Sequence, residues 1–168
     1  MQSYAFDLEQ FRRACGNFPT GVTITTVVSP EGTPHGITLS SFTSVSLDPP
    51  LVLICIDQRS RIQEYLHVDQ YIGINVLNAE QQDLSRQFAR TWADRFNGVE
   101  WYPGLTGVPV LCNVPAAFEC QIATILPAGD HVVIIGRVLH VLATERMPLA
   151  YLQRSYGTIA YAGADSHL

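Results

Sequence analysis

Short runs of apolar and β-branched residues recur along this chain, and most connections between them have hairpin length. Val22–Val28 is dense in β-branched residues, while Leu51–Ile56 is continuously apolar and is predicted as a buried strand. Turn residues separate neighbouring runs: Ser29–Gly32 follows the first run, and Pro127–Asp130 joins the last two. Because parallel strands need long crossover connections, this spacing disfavours a parallel α/β sheet. The pattern predicts a mainly β protein.

The remaining segments complete a predicted order of strands and three short helices. Residues 90–115 are rich in Pro and Gly and are predicted as a long ordered loop, which is usually functional or packed at an interface. We expect a single domain over residues 1–168, folded as a closed or nearly closed β-barrel with peripheral helices. The other predicted elements are a helix capped by Asp7 and ended by Gly16, a return strand Thr33–Ser41, a short helix over 61–67, a strand Tyr71–Leu77, a helix capped by Asn78 that runs through Phe88, and two strands, Ala116–Leu126 and Val132–Thr144.

The charged residues exclude several classes of function. The chain carries a formal net charge of −5, and its 10 basic residues are all arginine. General nucleic-acid binding needs clustered positive charge, which such a chain lacks. The absence of lysine removes Schiff-base chemistry and the phosphate-binding loop of nucleotide hydrolases. The apolar share of 47% is high for a short chain and indicates that a second copy covers part of the surface.

Other patterns bear on location and on metals. No apolar run approaches the ~18–20 residues of a membrane span, and the first residues lack the basic start and apolar stretch of a secretory signal. The four cysteines show no Cys-x-x-Cys spacing, so we expect buried, reduced thiols in a cytoplasmic protein. No metal site is expected, because five histidines lack metal-ligand spacing: His35, His67, His131, His140 and His167.

Two segments carry side chains suited to an anionic ligand. The hydroxyl-rich segment Thr38–Ser41 lies at a strand end, where hydroxyls and backbone N–H groups can hold a phosphate or the polar edge of a planar ring. The alternative is an ordinary Thr/Ser-rich edge strand. In Asp57–Arg61, Ser60 is placed to cap a helix, with Gln63 completing a capping box and two arginines beside it. This segment predicts a phosphate site at a helix N-terminus; the alternative is a plain cap with two solvated arginines.

A third candidate is His131, which follows Gly129-Asp130 in a turn between two apolar strands. A histidine there can orient or protonate a substrate group near neutral pH, although an incidental histidine in an ordinary Gly-Asp turn explains the pattern better from the residues alone. No Gly-x-Gly-x-x-Gly or Gly-x-Ser-x-Gly motif occurs, so a Rossmann nucleotide site and a hydrolase elbow are excluded. The residues alone predict a β-rich domain that binds a phosphate-bearing ligand.

Taken in order, several motifs resemble the short-chain flavin reductases, which have the FMN-binding split-barrel fold of Greek-key type. The resemblance runs from about Phe11 to Tyr156 and covers nearly the whole chain. It is carried by Phe18–Thr23, Gly36–Phe42, Ser44–Val52, Asn75–Leu77 and Gly129–His131. The resemblance implies an enzyme that transfers hydride from NADH or NADPH to FMN or FAD and supplies reduced flavin to a partner flavin-dependent monooxygenase. It also implies a homodimer with flavin near the interface.

The resemblance implies roles for matching residues. Four match the segment along the flavin ring and ribityl chain: Thr38, Leu39, Ser40 and Ser41. Three match the segment that holds the flavin phosphate: Asp57, Ser60 and Arg61. Two match positions near the ring, Asn75 and Val76, and four match the region of the flavin tail or the adenylate half of FAD: Ser85, Arg86, Phe88 and Phe96. His131 matches the histidine beside the nicotinamide, and Tyr156 matches an aromatic residue that helps cover the pyridine nucleotide.

Some alternatives stay open from the sequence. Many relatives place a lysine near the flavin or nicotinamide phosphates, and this chain has none. The sequence therefore does not determine whether the flavin is FMN or FAD, or whether the hydride donor is NADH or NADPH. A split-barrel protein with tightly bound flavin could instead act as a different oxidoreductase. It could also be a non-enzymatic flavin- or haem-binding module, because a fold alone does not determine function.

Overall fold

The chain consists mainly of antiparallel strands, which confirms the predicted fold class. The computed structural model describes residues 6–90 and 94–160; the N-terminal residues 1–5 and His167 lie outside the described residues. The helices are α1 (Leu8–Gly16), α2 (Gln82–Ala89) and a 3-10 helix (Arg61–Tyr65). The strands are β1 (Thr20–Gly21), β2 (Thr23–Val28), β3 (Pro34–Leu39), β4 (Thr43–Leu47), β5 (Pro50–Asp57), β6 (Tyr71–Val76), β7 (Trp101–Pro103), β8 (Pro109–Leu111), β9 (Ala116–Ala128), β10 (His131–Ala143), β11 (Leu149–Leu152) and β12 (Ser155–Thr158).

Seven strands form one antiparallel sheet in the order β3-β2-β6-β9-β10-β5-β4. Its two edge strands, β3 and β4, are consecutive in the chain, and β3 also contacts β5. A sheet whose first strand contacts its sixth must curl around an interior. That interior is a core to which β5, β6 and β10 contribute fully buried isoleucines: Ile54, Ile56, Ile72, Ile74 and Ile134.

A second core lies between the sheet and the elements that cover it. Phe88 of α2, Ile24 of β2 and Leu77 after β6 are its fully buried members, and Leu111 of β8 packs with them. β1, β11 and β12 form a separate three-stranded sheet, from which Leu149 joins this core and Tyr156 packs against it. This second core supports the candidate functional residues described below.

The elements with local sequence signals occur as predicted. Asp7 caps α1, because its Oδ1 accepts a hydrogen bond from the Gln10 backbone N at 2.6 Å, and the helix ends at Gly16. β2 and β3 form the predicted hairpin around the turn that follows Val28. β9 and β10 form the long second hairpin and are paired from His131↔Ala128 at the turn to the opposite end of both strands.

The prediction of a long loop over 90–115 is wrong, because β7 and β8 form a hairpin there. Buried Val108 and Val110 supply the apolar surface that holds this hairpin against the domain. The Glu119 carboxylate fixes its turn by accepting hydrogen bonds from Leu105 N at 3.0 Å, Thr106 N at 2.6 Å and Thr106 Oγ1 at 2.6 Å. Gly104 is required beside Glu119, since a Cβ there would meet the carboxyl carbon at 2.5 Å.

Asn78 does not cap the second helix, which begins later, at Gln82. The Asn78 side chain is used in a turn instead: its Oδ1 accepts a hydrogen bond from Glu80 N at 2.7 Å, and its Nδ2 donates to Asn113 O at 2.7 Å. Gln81 Oε1 in turn accepts from Asn78 N at 2.9 Å. These bonds tie the end of β6 to the β8–β9 connection before the helix starts.

The predicted helix over 61–67 is a five-residue 3-10 helix without the predicted capping box. Ser60 occupies the cap position, but its side chain makes no cap hydrogen bond, and Gln63 Nε2 donates to Ile56 O at 3.5 Å. Such a short helix presents no appreciable macrodipole to a ligand. The prediction of an anion site at a helix N-terminus therefore loses its physical basis. The positively charged side chain of Arg61 can still contact an anion directly.

Two predictions about burial also need correction. In β5 the apolar run alternates: Val52, Ile54 and Ile56 are buried, whereas the residues between them are only partly covered. Of the cysteines, only Cys120 is buried; Cys15 is exposed, and Cys55 and Cys112 are partly covered. All four are free thiols, as predicted. Within the described residues, no helix combines the length and apolar character needed to cross a membrane.

Candidate functional site

Four predicted residues from three separate elements meet beside β3. Thr38 Oγ1, on β3, donates a hydrogen bond to the Ser85 backbone O of α2 at 2.7 Å. The Ser85 hydroxyl pairs with the Tyr156 hydroxyl of β12 at 2.9 Å, and the Arg86 guanidinium lies over the Tyr156 ring, 5.6 Å from its centroid. These contacts fix Tyr156 against α2. We call these four residues the hydroxyl cluster.

The rest of the predicted hydroxyl segment holds the β3–β4 connection in place. Ser41 Oγ donates to Cys55 O and accepts from Cys55 N, both at 2.9 Å, so it takes the place of a strand partner for β5. Leu39 O accepts from Thr23 Oγ1 at 3.2 Å, and the Leu39 side chain packs against the barrel core. Ser40 is exposed between them. The connection is therefore held at both ends, with Ser40 facing solvent.

A cleft of about 590 Å³ opens beside the start of β3. Two arginines line it, Arg61 from the 3-10 helix and Arg95 from the segment after α2. Burial lowers the pKa of Arg95, and the positive charge of Arg61 lowers it further. The lining residues are Thr33, Pro34, His35, Gly36, Arg61, Ile62, Glu64, Tyr65, Asp94, Arg95 and Phe96, and we call this the arginine cleft.

Aromatic rings also line the arginine cleft. The His35 and Tyr65 rings are stacked, with centroids 4.2 Å apart and an interplanar angle of 20°. Phe96 packs edge-on against Phe88, with centroids 5.0 Å apart, and against Trp101 at 5.8 Å. The cleft thus combines two cationic groups with flat apolar surfaces, which suits an aromatic anion.

Arg95 was missed by sequence reasoning, although its neighbour Phe96 was not. Its guanidinium donates to the Gly36 backbone O, which turns the side chain toward β3. Gln87 Nε2 of α2 holds the same segment by donating to Arg95 O at 2.8 Å and to Asn97 O at 3.0 Å. The only local signal for Arg95 is its place beside Phe96, since these contacts bring together residues far apart in the chain.

A second group of polar residues forms at the end of β5 and the β9–β10 turn. Asp57 and His131 are directly paired across β5 and β10. Arg59 clamps the Asp57 carboxylate through its guanidinium at 2.7 Å and its backbone N at 2.8 Å, and these hydrogen bonds hold the pKa of Asp57 well below its ordinary value. Asp57 is therefore a charged partner for Arg59 at neutral pH.

His131 is oriented by its neighbour in the turn. Its Nδ1 lies 2.7 Å from Asp130 Oδ1, and because a carboxylate only accepts hydrogen bonds, Nδ1 is the donor and carries a proton. The hydrogen bond from His131 also lowers the pKa of Asp130. Gln58 Nε2 donates to the His131 backbone O at 3.2 Å and to Gly129 O at 3.3 Å. Because Nδ1 is occupied by Asp130, Nε2 is the ring nitrogen that remains available to another partner.

Three predicted residues lie within the body of the protein rather than at its surface. Asn75 is fully buried: its Nδ2 donates to Ile24 O at 3.2 Å, and its Oδ1 accepts from Leu111 N at 2.9 Å. Val76 is partly covered on the same strand, between β2 and β9. Phe88 is fully buried in the second core. Asn75 therefore links β6 to β2 and β8.

A buried hydroxyl without a partner among the described residues lies in the three-stranded sheet that contains Tyr156. Thr20 Oγ1 on β1 has no hydrogen-bond partner among the described residues. β1 pairs with β11 at Thr20↔Tyr151, and the Tyr151 ring lies 5.2 Å from the Tyr156 ring. Thr25 Oγ1 of β2 is likewise buried without a partner among the described residues, so an unpaired hydroxyl is not particular to this sheet.

Comparison with known proteins identifies the family. Residues 15–160 match the family described as flavin reductase like domain. The chain belongs to this flavin reductase family. The solved structures that it resembles include the NADH:FAD oxidoreductase of Streptomyces globisporus, in complex with NAD and FAD fragments, at a TM-score of 0.87 and 36% identity. That match covers 95% of this chain and 96% of the other, and confirms the split-barrel fold.

Two curated relatives extend this flavin reductase comparison. A Rhizobium meliloti protein named "Probable flavin reductase" is 44% identical over 163 residues, which cover 97% of this chain and 52% of the relative. The reductase component of the flavin-dependent trigonelline monooxygenase of Acinetobacter baylyi is 37% identical over 158 residues, covering 94% of this chain and 51% of that protein. The chain therefore spans about half the length of these two relatives. The family includes reductase components of monooxygenases.

Proposed function

We propose that this chain is an NAD(P)H-dependent flavin reductase that reduces FMN or FAD and supplies reduced flavin to a flavin-dependent monooxygenase. The observation that carries this proposal is the arrangement along β3. The arginine cleft opens at one end of this strand, the hydroxyl cluster includes Thr38, and Ser40 lies exposed just beyond. A flavin has the matching sequence of groups: an anionic phosphate end, a polar ribityl chain and a planar ring.

The residues present fit a flavin. Arg61 and Arg95 are like charges lining one cleft, which favours a bound anion. We propose that Arg61 and Ser60 hold the flavin phosphate, and that Ser40 and the backbone of Thr38–Ser41 hold the ribityl chain and the ring edge. Asp57 is anionic and would repel a phosphate, so its proposed role is to orient Arg59. When bound, the flavin and the reduced nicotinamide themselves supply the hydride chemistry.

On the nicotinamide side, the proposed residues are His131 and Tyr156. Asp130 fixes the His131 ring with Nε2 outward, where it can contact a polar group of the nicotinamide. The Tyr156 ring is held by Ser85 and Arg86 and is proposed to cover the pyridine nucleotide. The chain's task is to hold both rings in register and exclude water.

The buried members of the predicted set have supporting roles in this proposal. Phe88 backs Phe96 at the wall of the cleft, and Asn75 with Val76 keeps β6 in register beneath the site. We also propose one domain over residues 1–168 that acts as a homodimer. Exposed apolar side chains on β4 and at the end of β9 support a covered surface: Val45, Leu47 and Leu126.

The test is NADH or NADPH oxidation at 340 nm in air with FMN or FAD. Decay that requires added flavin supports the reductase. Decay without added flavin favours a tightly held flavin and another acceptor, and no decay despite flavin binding contradicts the reductase activity. His131→Ala is expected to raise KM for NADH about three- to tenfold, the range of one lost hydrogen bond, with flavin affinity unchanged. His140→Ala, also a histidine on β10, is the matched control.

A further inference from the structure

One residue, Gln58, binds the turn that carries His131 at three successive carbonyl groups. The Gln58 backbone N donates a hydrogen bond to Asp130 O at 3.0 Å. Its side-chain Nε2 donates to the carbonyl oxygens on either side, Gly129 O at 3.3 Å and His131 O at 3.2 Å. A side-chain amide nitrogen carries two N–H donors, so a single side chain can make both bonds. Gln58 therefore fixes the backbone of the whole turn.

These contacts lie at the end of the sheet. Asp57 and His131 form the terminal pair between β5 and β10, and the β9–β10 turn extends beyond them. Residues 126–130 are exposed. An exposed turn at the tip of a long hairpin belongs to the part of a domain that opens most easily. Gln58, the first residue after β5, attaches this tip to the neighbouring strand.

The segment that carries Gln58 is held by hydrogen bonds of its own. The Asp57 carboxylate accepts from the Arg59 backbone N at 2.8 Å and from the Arg59 guanidinium at 2.7 Å. Asp57 O accepts from Ser60 N at 2.9 Å. None of these bonds uses the Gln58 side chain. A change of that side chain should therefore loosen the β9–β10 turn and leave residues 57–60 in place.

The same short segment reaches both proposed ligand positions. Ser60 and Arg61 are the residues proposed to hold the flavin phosphate, and Gln58 lies two residues before Ser60. On the other side, Gln58 fixes the His131 backbone, while Asp130 fixes the His131 ring. Hydride passes between two rings that must be held at a defined orientation, so the placement of the groups that hold each ring affects the rate.

We propose that Gln58 is a positioning residue that holds His131 at the nicotinamide and thereby places the pyridine nucleotide relative to the flavin. Gln58 acts through His131, by way of the backbone of the turn. This inference rests on the proposed function, because it takes His131 as the residue that contacts the nicotinamide.

The experiment measures kcat/KM for NADH and the Kd of FMN in Gln58→Met, a variant of similar length that lacks the amide donors. kcat/KM is expected to fall about two- to fivefold, the lower part of the range for one lost hydrogen bond. The Kd of FMN should change by less than about twofold, because residues 57–60 hold themselves. Gln70→Met is the matched control: Gln70 Nε2 donates to Tyr71 O, away from this turn, and both constants should be unchanged.

A double-mutant cycle separates positioning from general support of the fold. In a His131→Ala background, Gln58→Met should have no further effect on kcat/KM, because the ring that it positions is absent. A merely structural role would lower kcat/KM by the same factor in both backgrounds. Hydrogen exchange at the amide of residue 58, which is bonded to Asp130 O, should be faster in Gln58→Met because the turn is released.

Three outcomes overturn the inference: an equal fall of kcat/KM in both backgrounds, a parallel weakening of FMN binding, or an unchanged kcat/KM in Gln58→Met. Failure of the proposed function is distinguishable, because the wild type would then oxidise no NADH with FMN or FAD. The same variants are in that case compared by the Kd of NADH, measured from its own fluorescence. An effect of Gln58→Met that disappears in the His131→Ala background supports the positioning role, and equal effects or no effect overturn it.

Discussion

Gly36→Ala is expected to destabilise the protein by a steric mechanism that the structure specifies. A Cβ at Gly36 would meet Phe88 Cε1 at 2.5 Å and Cδ1 at 2.8 Å, which is well inside van der Waals contact. The Phe88 ring has little room to retreat, because it is fully buried and packs edge-on against Phe96 at 5.0 Å. Either the ring or the whole of α2 must move away from β3.

The magnitude follows from two opposing effects. Overpacking of a core position costs about 1–3 kcal/mol, whereas replacing a strand glycine by alanine recovers about 0.5–1 kcal/mol of conformational entropy. The midpoints of these two ranges give an expected net loss of about 1 kcal/mol in the free energy of unfolding, which lowers Tm by about 2–4 °C for a chain of this length. Gly157→Ala is the matched control, because a Cβ at Gly157, also a strand glycine, meets nothing within 4 Å.

A double-mutant cycle in urea denaturation isolates the clash. Phe88→Leu alone should destabilise the protein by leaving a cavity in the second core. Combined with Gly36→Ala, the loss should be smaller than the sum of the two single losses by at least about 0.5 kcal/mol, because each change relieves the other. Additive losses, or equal stabilities of Gly36→Ala and Gly157→Ala, would refute the claim that Phe88 occupies the space of the missing side chain.

Three further predictions concern single groups. Glu119→Gln should reduce stability at pH 7 by about 1.5–3 kcal/mol, the value of hydrogen bonds to a charged acceptor. Burial acts to raise the Glu119 pKa, but the hydrogen bonds from the β7–β8 turn outweigh it and lower the pKa below 4.5, so this stabilisation is present above pH 4.5 and lost as the pH falls further. Denaturation curves from pH 7 to 3.5 should show the gap between wild type and variant closing, and a gap independent of pH would contradict this assignment. Burial raises the pKa of Cys120 to about 12, so iodoacetamide at pH 8 should alkylate exposed Cys15 and leave Cys120 unmodified by mass spectrometry until the protein is denatured. Tyr156→Phe removes the hydroxyl bonded to Ser85 and should cost about 0.5–1.5 kcal/mol in urea denaturation, while an unchanged midpoint would show that the bond contributes nothing.

The parts of the fold that sequence reasoning predicted are those governed by neighbouring residues. The β2–β3 and β9–β10 hairpins depend on a turn and on the runs beside it, and the cap of α1 depends on Asp7 and Gln10 alone. The strands that were missed are short, with two to five residues each. β1, for example, pairs with β11 at Thr20↔Tyr151, and a two-residue strand has no periodicity to detect.

The prediction over 90–115 failed for a related reason. The Pro and Gly residues there are typical of a loop, yet Pro103 ends one strand of three residues and Pro109 begins another, with Gly104 and Gly107 between them. What stabilises this hairpin is the Glu119 carboxylate, which is supplied by β9 and bonds the turn at Leu105 and Thr106. Because this contact comes from another element, the composition of residues 90–115 alone does not predict the hairpin.

For the site, the sequence predicted which polar residues lie near one another better than it predicted whether each contacts a ligand or supports the fold. Thr38, Ser85 and Tyr156 were assigned separately to ligand contacts, and the structure joins them into one cluster through their own hydrogen bonds. Asn75 was assigned to the ring, but its amide bonds to the backbone of β2 and β8. Polar residues near a binding site serve two purposes, and only the three-dimensional contacts separate ligand binding from support.

The placement of α2 explains why the hydroxyl cluster and the arginine cleft depend on each other. Gly36 and Thr38 lie two residues apart on β3 and share a face, while Ser85 and Phe88 lie three apart on α2 and share a face. Thr38 Oγ1 donates a hydrogen bond to Ser85 O, and the missing side chain at Gly36 leaves space for the Phe88 ring. These two contacts hold the helix against the strand. The same helix holds the Arg95 segment through Gln87. Displacing α2 should therefore disturb both groups, and Gly36→Ala should weaken flavin binding as well as lower the free energy of unfolding.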